Sequence, residues 1–249
     1  MEEKELQGPE VVQRRMYYLF SPWLRAFHWI MVDSIIILCV TGFLIGKPME
    51  ILAHEPSDTV FITYWVRNIH FLAAYAFCAS FVFRIYGFIV NKGDRLFPRV
   101  WEGHFYWELI DVVLHYSFMR SEHKSYLRNP MARCSYAFLY FLVAIEICTG
   151  FAMYYMTNPN SIPAFFFKWM IPLMGGEYAL HLVHHYVSWV IVLFAFGHLY
   201  MVTRAEFMDA ESEVSSMFSG SKMLEHIPED VNEIDPEYSG QWQGRERIR

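Results

Sequence analysis

Of the 11 histidines in this chain of 249 residues, four stand inside long apolar runs: His28, His70, His184 and His198. His28 and His70 lie near the starts of the first and second runs. His184 and His198 share the fourth run, 14 residues apart. At about 100° and 1.5 Å per residue, that interval ends about 40° short of four helical turns and rises about 21 Å. Both rings therefore face one side of a helix at two depths. With successive runs crossing in opposite directions, His28 shares a depth with His198, and His70 with His184. Two imidazoles from different helices are what a six-coordinate haem iron needs, so the pattern predicts two haems stacked across a bilayer. A single such histidine is more often a hydrogen-bonded core residue; four at two matched depths are not what packing alone produces. His185, 13 residues from His198, points away from the shared face.

The same interval recurs elsewhere. Gly42 lies 14 residues after His28, where a glycine lets a macrocycle approach the backbone. Arg84 lies 14 residues after His70 and is read as a propionate partner; the alternative is snorkelling to the headgroups. Arg67, one turn before His70, could serve a propionate of the other haem. Asp33 and Glu146 fall inside spans and are read as buried acids, structural rather than proton-relaying. His181, Leu182, Val183, His184 and His185 form an HxxHH box of the kind used by membrane di-iron desaturases, but those enzymes need further boxes, and this chain has one.

The elements that must position these residues follow from composition. Hydrophobic residues make up 55% of the chain and charged residues 18%, a charge deficit for a water-soluble domain. Four runs reach the roughly 20 residues needed to cross a bilayer, at about 26–45, 66–90, 135–156 and 183–202. The expected fold is all-α: an integral membrane four-helix bundle with an interfacial loop and a polar tail. Residues 1–25 form an N-terminal segment, 26–204 the bundle and 205–249 the tail. The first run lacks a small-residue cleavage site and is not a signal peptide. Lys and Arg concentrate in the N-terminal segment, the second connection and the tail, which puts both termini on the cytoplasmic side. Trp101, Phe105, Tyr106 and Trp107 predict an amphipathic helix at the interface within that connection. Cys39, Cys78, Cys134 and Cys148 make no CxxC or CxxCH and read as small buried hydrophobes. The tail reads as partly disordered. No internal repeat, nucleotide loop or nucleic-acid patch is evident.

Several stretches carry a resemblance. They are Arg25-Ala26-Phe27-His28-Trp29, the run from Thr41 to Pro48, Ile69-His70-Phe71, Arg84-Ile85-Tyr86, Asn129-Pro130, Thr149-Gly150-Phe151, and the run from His181 to Arg204. The chain resembles the b-type cytochrome subunit of membrane-bound nickel–iron hydrogenases, and shares His28-Trp29 with the gamma subunits of formate dehydrogenase. The resemblance implies two haem b groups held by His28, His70, His184 and His198. It also implies a place in the bacterial inner membrane, with the small and large subunits of a periplasmic hydrogenase as partners and menaquinone or ubiquinone as electron acceptor. A reduced quinone must collect protons, which makes His123 and Asn129, with His115 and Tyr136 behind them, candidates for its site. The plainer reading of His104, His115 and His123 is solvated loop.

Overall fold

The computed structural model describes residues 15–47, 56–90, 97–120, 126, 129–208 and 212–224. Four long helices dominate: α1 (Pro22–Gly46), α2 (Pro56–Val90), α4 (Pro130–Tyr154) and α7 (Glu177–Phe207). Shorter elements are β1 (Arg15–Tyr18), α3 (Gly103–Tyr116), α5 (Ile162–Phe167), α6 (Met170–Met174), α8 (Glu213–Ser219) and β2 (Ser221–Leu224). Each long helix is apolar and long enough to cross a membrane. At 1.5 Å per residue, the 25 residues of α1 exceed the roughly 30 Å of a hydrocarbon core.

Local chemistry explains the helix ends. Ser21 caps α1, its hydroxyl accepting from the Leu24 N–H at 3.2 Å, with Pro22 in the first turn. Asn129 does the same for α4: its side-chain oxygen accepts from the Met131 N–H at 2.9 Å. Gly175 and Gly176 have φ of 91° and 115°, a left-handed step that stops α6 and launches α7. All four helices start earlier than their apolar runs, because helical hydrogen bonding continues into polar ends that a hydrophobic count leaves out.

The chain divides into two compact units. The first spans 21–99 and 132–200. Its core joins Met31 from α1, Phe77 from α2, Leu139, Leu142 and Val143 from α4, and Ile191 from α7. Large apolar side chains such as Ile36, Leu72, Phe141 and Leu193 point outward, a surface that requires lipid as solvent. Cys39 belongs to that outward surface and the other three cysteines are half-buried, so burial in protein is not their common property.

The second unit contains residues 1–20, 100–131 and 201–249. Its α3 is amphipathic: Phe105, Val112 and His115 are buried, while Tyr106, Trp107 and Ile110 are exposed. β1 pairs antiparallel with β2, Arg15 opposite Leu224 and Tyr18 opposite Ser221. Beside this short ribbon the described secondary structure is helical, as the all-α expectation has it. The described part of the tail is folded: α8 leads into β2, and Glu206 accepts from the Val214 N–H at 2.9 Å and from the Ser215 hydroxyl. Gly220, at φ 84°, accepts from both Leu19 and Phe20 N–H, and a Cβ there would meet the Phe20 carbonyl at 2.8 Å. Lys222 is 1% exposed and donates to the Tyr126 carbonyl at 3.0 Å and to Glu213 at 2.6 Å.

Candidate haem centres

The bundle unit presents histidines at two levels. At one, the rings of His28 on α1 and His198 on α7 face each other with centroids 6.5 Å apart, their planes at 58°. Two rings gripping one metal end-on, at a metal–nitrogen distance of about 2 Å, stand with centroids roughly 6 Å apart. The pair therefore fits a bis-imidazole iron. Phe194 stacks on His198, with centroids 6.1 Å apart and planes 5° from parallel, and Trp29 meets His28 edge-on. The Nδ1 of His28 is buried and has no hydrogen-bond partner among the described residues.

The other level is built differently. His70 on α2 lays its ring against α1: Nδ1 is 2.8 Å from the Thr41 hydroxyl, and a Cβ on Gly42 would lie 3.5 Å from its Cε1. His184 on α7 does the same against α4: Nδ1 is 2.9 Å from the Thr149 hydroxyl, and a Cβ on Gly150 would lie 3.2 Å from its Cε1. Each imidazole thus sits in a threonine–glycine step of a neighbouring helix. His70 is also among the electrostatic neighbours of His184. The core of Met31, Phe77, Val143 and Ile191 lies between the sequence positions that define the two levels.

Gly42 consequently has a neighbour other than the one expected. The side chain nearest to it is the ring of His70. Arg84 is buried and does not snorkel: its Nε donates to the Tyr140 hydroxyl at 3.0 Å, and its guanidinium lies 5.9 Å from the Phe27 ring centroid and 5.8 Å from that of Tyr140. Arg67 is exposed and sits over Phe71 at 5.9 Å. Glu146 is largely buried, with Oε1 3.3 Å from His184 Nε2 and Oε2 without a hydrogen-bond partner among the described residues. Asp33, expected to be buried, points outward from α1.

Within the HxxHH box, His181 is exposed and His185 turns outward, where its Nε2 accepts from the Trp189 indole at 3.2 Å. The box therefore does not converge on one centre. His123 lies outside the described residues. Asn129 serves as a helix cap, which gives it a structural role. His115 is 3% exposed within α3, its Nε2 3.5 Å from Arg204 Nη2, so it is not a solvated loop residue. His104 is exposed beside Glu102 at 3.3 Å, as a surface pair. Tyr136 is half-buried on α4, in the bundle unit.

The residues whose contacts with the histidines went unread in the sequence are Thr41, Thr149 and Gly150. A signal existed. Ile37-Leu38-Cys39-Val40-Thr41-Gly42-Phe43 recurs in altered form as Ile145-Glu146-Ile147-Cys148-Thr149-Gly150-Phe151. The expectation of no internal repeat is corrected to this extent: one short segment appears twice, each time receiving a histidine from a neighbouring helix.

Apolar spans that enclose facing imidazoles, with no CxxCH for covalent attachment, are the attributes of a membrane cytochrome b. The chain belongs to the prokaryotic cytochrome b561 family, which it matches over residues 19–220. It is 35% identical over 209 residues to the "Probable Ni/Fe-hydrogenase B-type cytochrome subunit" of Cupriavidus necator, covering 82% of this chain and 85% of that protein. It is 31% identical over 228 residues to the protein so named in Bradyrhizobium diazoefficiens, covering 88% and 91%. It is 30% identical over 215 residues to the "Probable Ni/Fe-hydrogenase 1 B-type cytochrome subunit" of Escherichia coli K12, covering 82% and 89%. The chain is therefore an integral membrane protein, and its family implies haem b.

Proposed function

We propose that the chain is the membrane-anchoring, dihaem cytochrome b of a nickel–iron hydrogenase, passing electrons from the iron–sulfur small subunit of a periplasmic enzyme to menaquinone or ubiquinone. The observation that carries the reading is the facing pair His28 and His198 at 6.5 Å, on helices that also bear the Thr41 socket and His184 at a second level. Bound haem supplies reversible one-electron chemistry at iron, with no substrate bond made or broken.

The chain's own residues do the rest. His70 and His184 hold one centre and His28 and His198 the other. The interval of about 20 Å along α7 sets them on opposite sides of the bilayer. The core around Met31, Phe77 and Val143 excludes water from the space between. Arg84, fixed by Tyr140 and Phe27, keeps a positive charge in the bundle for a propionate near His28. The charge pattern of the connections sets both termini and the His28–His198 level towards the cytoplasm, which leaves the His70–His184 level towards the hydrogenase. Quinone reduction belongs at the cytoplasmic end, for which the sequence offers His123 and Asn129 as candidates.

The test is haem quantification of the purified chain, followed by His198→Ala in the whole complex. The expected result is two haem b per chain in the wild type and one in the variant. Hydrogen-to-quinone activity is then lost while dye-linked hydrogen oxidation survives. Quinone reduction that persists in the variant would reduce the chain to a structural anchor.

A further inference from the structure

Outside the ligand set, the bundle holds two hydroxyls whose geometry is alike and whose chemistry no simple packing role requires. Thr41 Oγ1 is 2.6 Å from the Ile37 carbonyl, one turn earlier, and 2.8 Å from His70 Nδ1. Thr149 Oγ1 is 2.8 Å from the Ile145 carbonyl and 2.9 Å from His184 Nδ1. A hydroxyl has one proton and two lone pairs. The carbonyl can only accept, and in both threonines it is the nearer of the two partners, which favours it for the proton. In that arrangement a lone pair faces the imidazole and Nδ1 is the protonated nitrogen. The Leu38 carbonyl, 3.3 Å from Thr41 Oγ1, and the Glu146 carbonyl, 3.1 Å from Thr149 Oγ1, are further acceptors for the hydroxyl proton. With Nδ1 committed as a donor, Nε2 keeps the lone pair that a metal would take, and at His184 that nitrogen has Glu146 Oε1 3.3 Å away.

We infer that Thr41 and Thr149 are positioning residues that act on one and the same haem, fixing His70 and His184 as Nδ1–H tautomers with Nε2 as the nitrogen for iron. The inference rests on the two-haem reading above. Gly42 and Gly150 complete each socket by letting the ring lie against the helix. An acceptor on Nδ1–H raises the basicity of the ligating nitrogen and stabilises ferric over ferrous iron. Both ligands of this haem have such an acceptor, whereas His28 Nδ1 at the other level has none among the described residues. The sockets thus lower the potential of the haem that they share.

Redox titration of the α-band in the purified holo-complex tests this, with Thr41→Val, Thr149→Val and Thr41→Ser compared. Each valine variant is expected to keep two haems and to raise the midpoint potential of a single haem, the same one in both, with a change in that haem's low-spin g values. Thr41→Ser, which keeps the hydroxyl, is expected to titrate as the wild type. Unchanged potentials in both valine variants would overturn the inference, as would shifts in two different haems. Loss of a haem in Thr41→Val that Thr41→Ser does not restore would overturn it too, by reducing Thr41 to a packing residue. A wild-type chain with fewer than two haems would instead overturn the reading on which the inference rests.

Discussion

Glu146 Oε1 stands 3.3 Å from His184 Nε2, the ring nitrogen left over once Nδ1 has turned to Thr149. In the matching segment of α1 the same place is held by Leu38. The two sockets are thus alike except that one has a carboxyl group beside Nε2 of its histidine.

That difference gives a first prediction. Glu146 Oε2 is buried without a hydrogen-bond partner among the described residues. A buried group in that condition costs on the order of 1–3 kcal/mol, which an apolar replacement recovers. Glu146→Leu should therefore retain haem and raise the thermal midpoint of the chain in detergent. A lower midpoint, or loss of haem, would show that the carboxyl group is needed for assembly.

The glycines should not respond equally to alanine. A Cβ at position 150 would press on His184 Cε1 at 3.2 Å, tighter than an ordinary contact, while one at position 42 would meet His70 Cε1 at 3.5 Å. Gly150→Ala is expected to broaden or shift the low-spin spectrum of one haem, and Gly42→Ala to leave it nearly unchanged. Equal effects, or the reverse order, would contradict the socket geometry.

Arg84 offers a test of its burial. Lysine cannot reproduce a planar group that hydrogen-bonds Tyr140 while lying over Phe27. Arg84→Lys should destabilise the bundle by about 1–2 kcal/mol, the magnitude of a lost cation–π contact plus a hydrogen bond. Tyr140→Phe should lose about half of that. Thermal unfolding of both proteins in detergent measures the difference.

The folded part of the tail depends on one lysine. Lys222 joins Glu213 to the Tyr126 carbonyl from an almost fully buried position. Lys222→Met removes the charge but leaves the Glu213 carboxylate partly buried, at a cost of about 3 kcal/mol to its unit. The β2 segment should then exchange its amide protons faster and be cut more readily by protease, while haem content stays at the wild-type level.

The four helices were legible because hydrophobic length is a local property of the chain. So were the histidine levels, since a 14-residue interval on one helix fixes a face and a depth whatever surrounds it. The threonine sockets were not, although both Thr-Gly-Phe segments were in view. Which hydroxyl meets which imidazole depends on how α1 packs on α2 and α4 on α7, and no spacing within a single helix encodes that. The same reason hid the inward turn of Arg84, which Tyr140 on another helix holds in place. His115 resembled a loop residue because its neighbours are polar and aromatic; its burial follows from α3 packing as a helix with one face inward. The ribbon of β1 and β2 joins segments about 200 residues apart, beyond the reach of any pattern in either four-residue strand.

The sockets also bear on how such a protein is assembled. Each is made between two helices consecutive among the four spans, α1 with α2 and α4 with α7, so each half of the bundle can orient its own histidine as soon as its hairpin has formed. The imidazoles then stand aligned on separate halves, each with Nδ1 already engaged. A cofactor arriving between them need not organise the chain. It acts as the clasp that fastens two finished halves, and a hairpin without its socket would still insert in the membrane but close poorly.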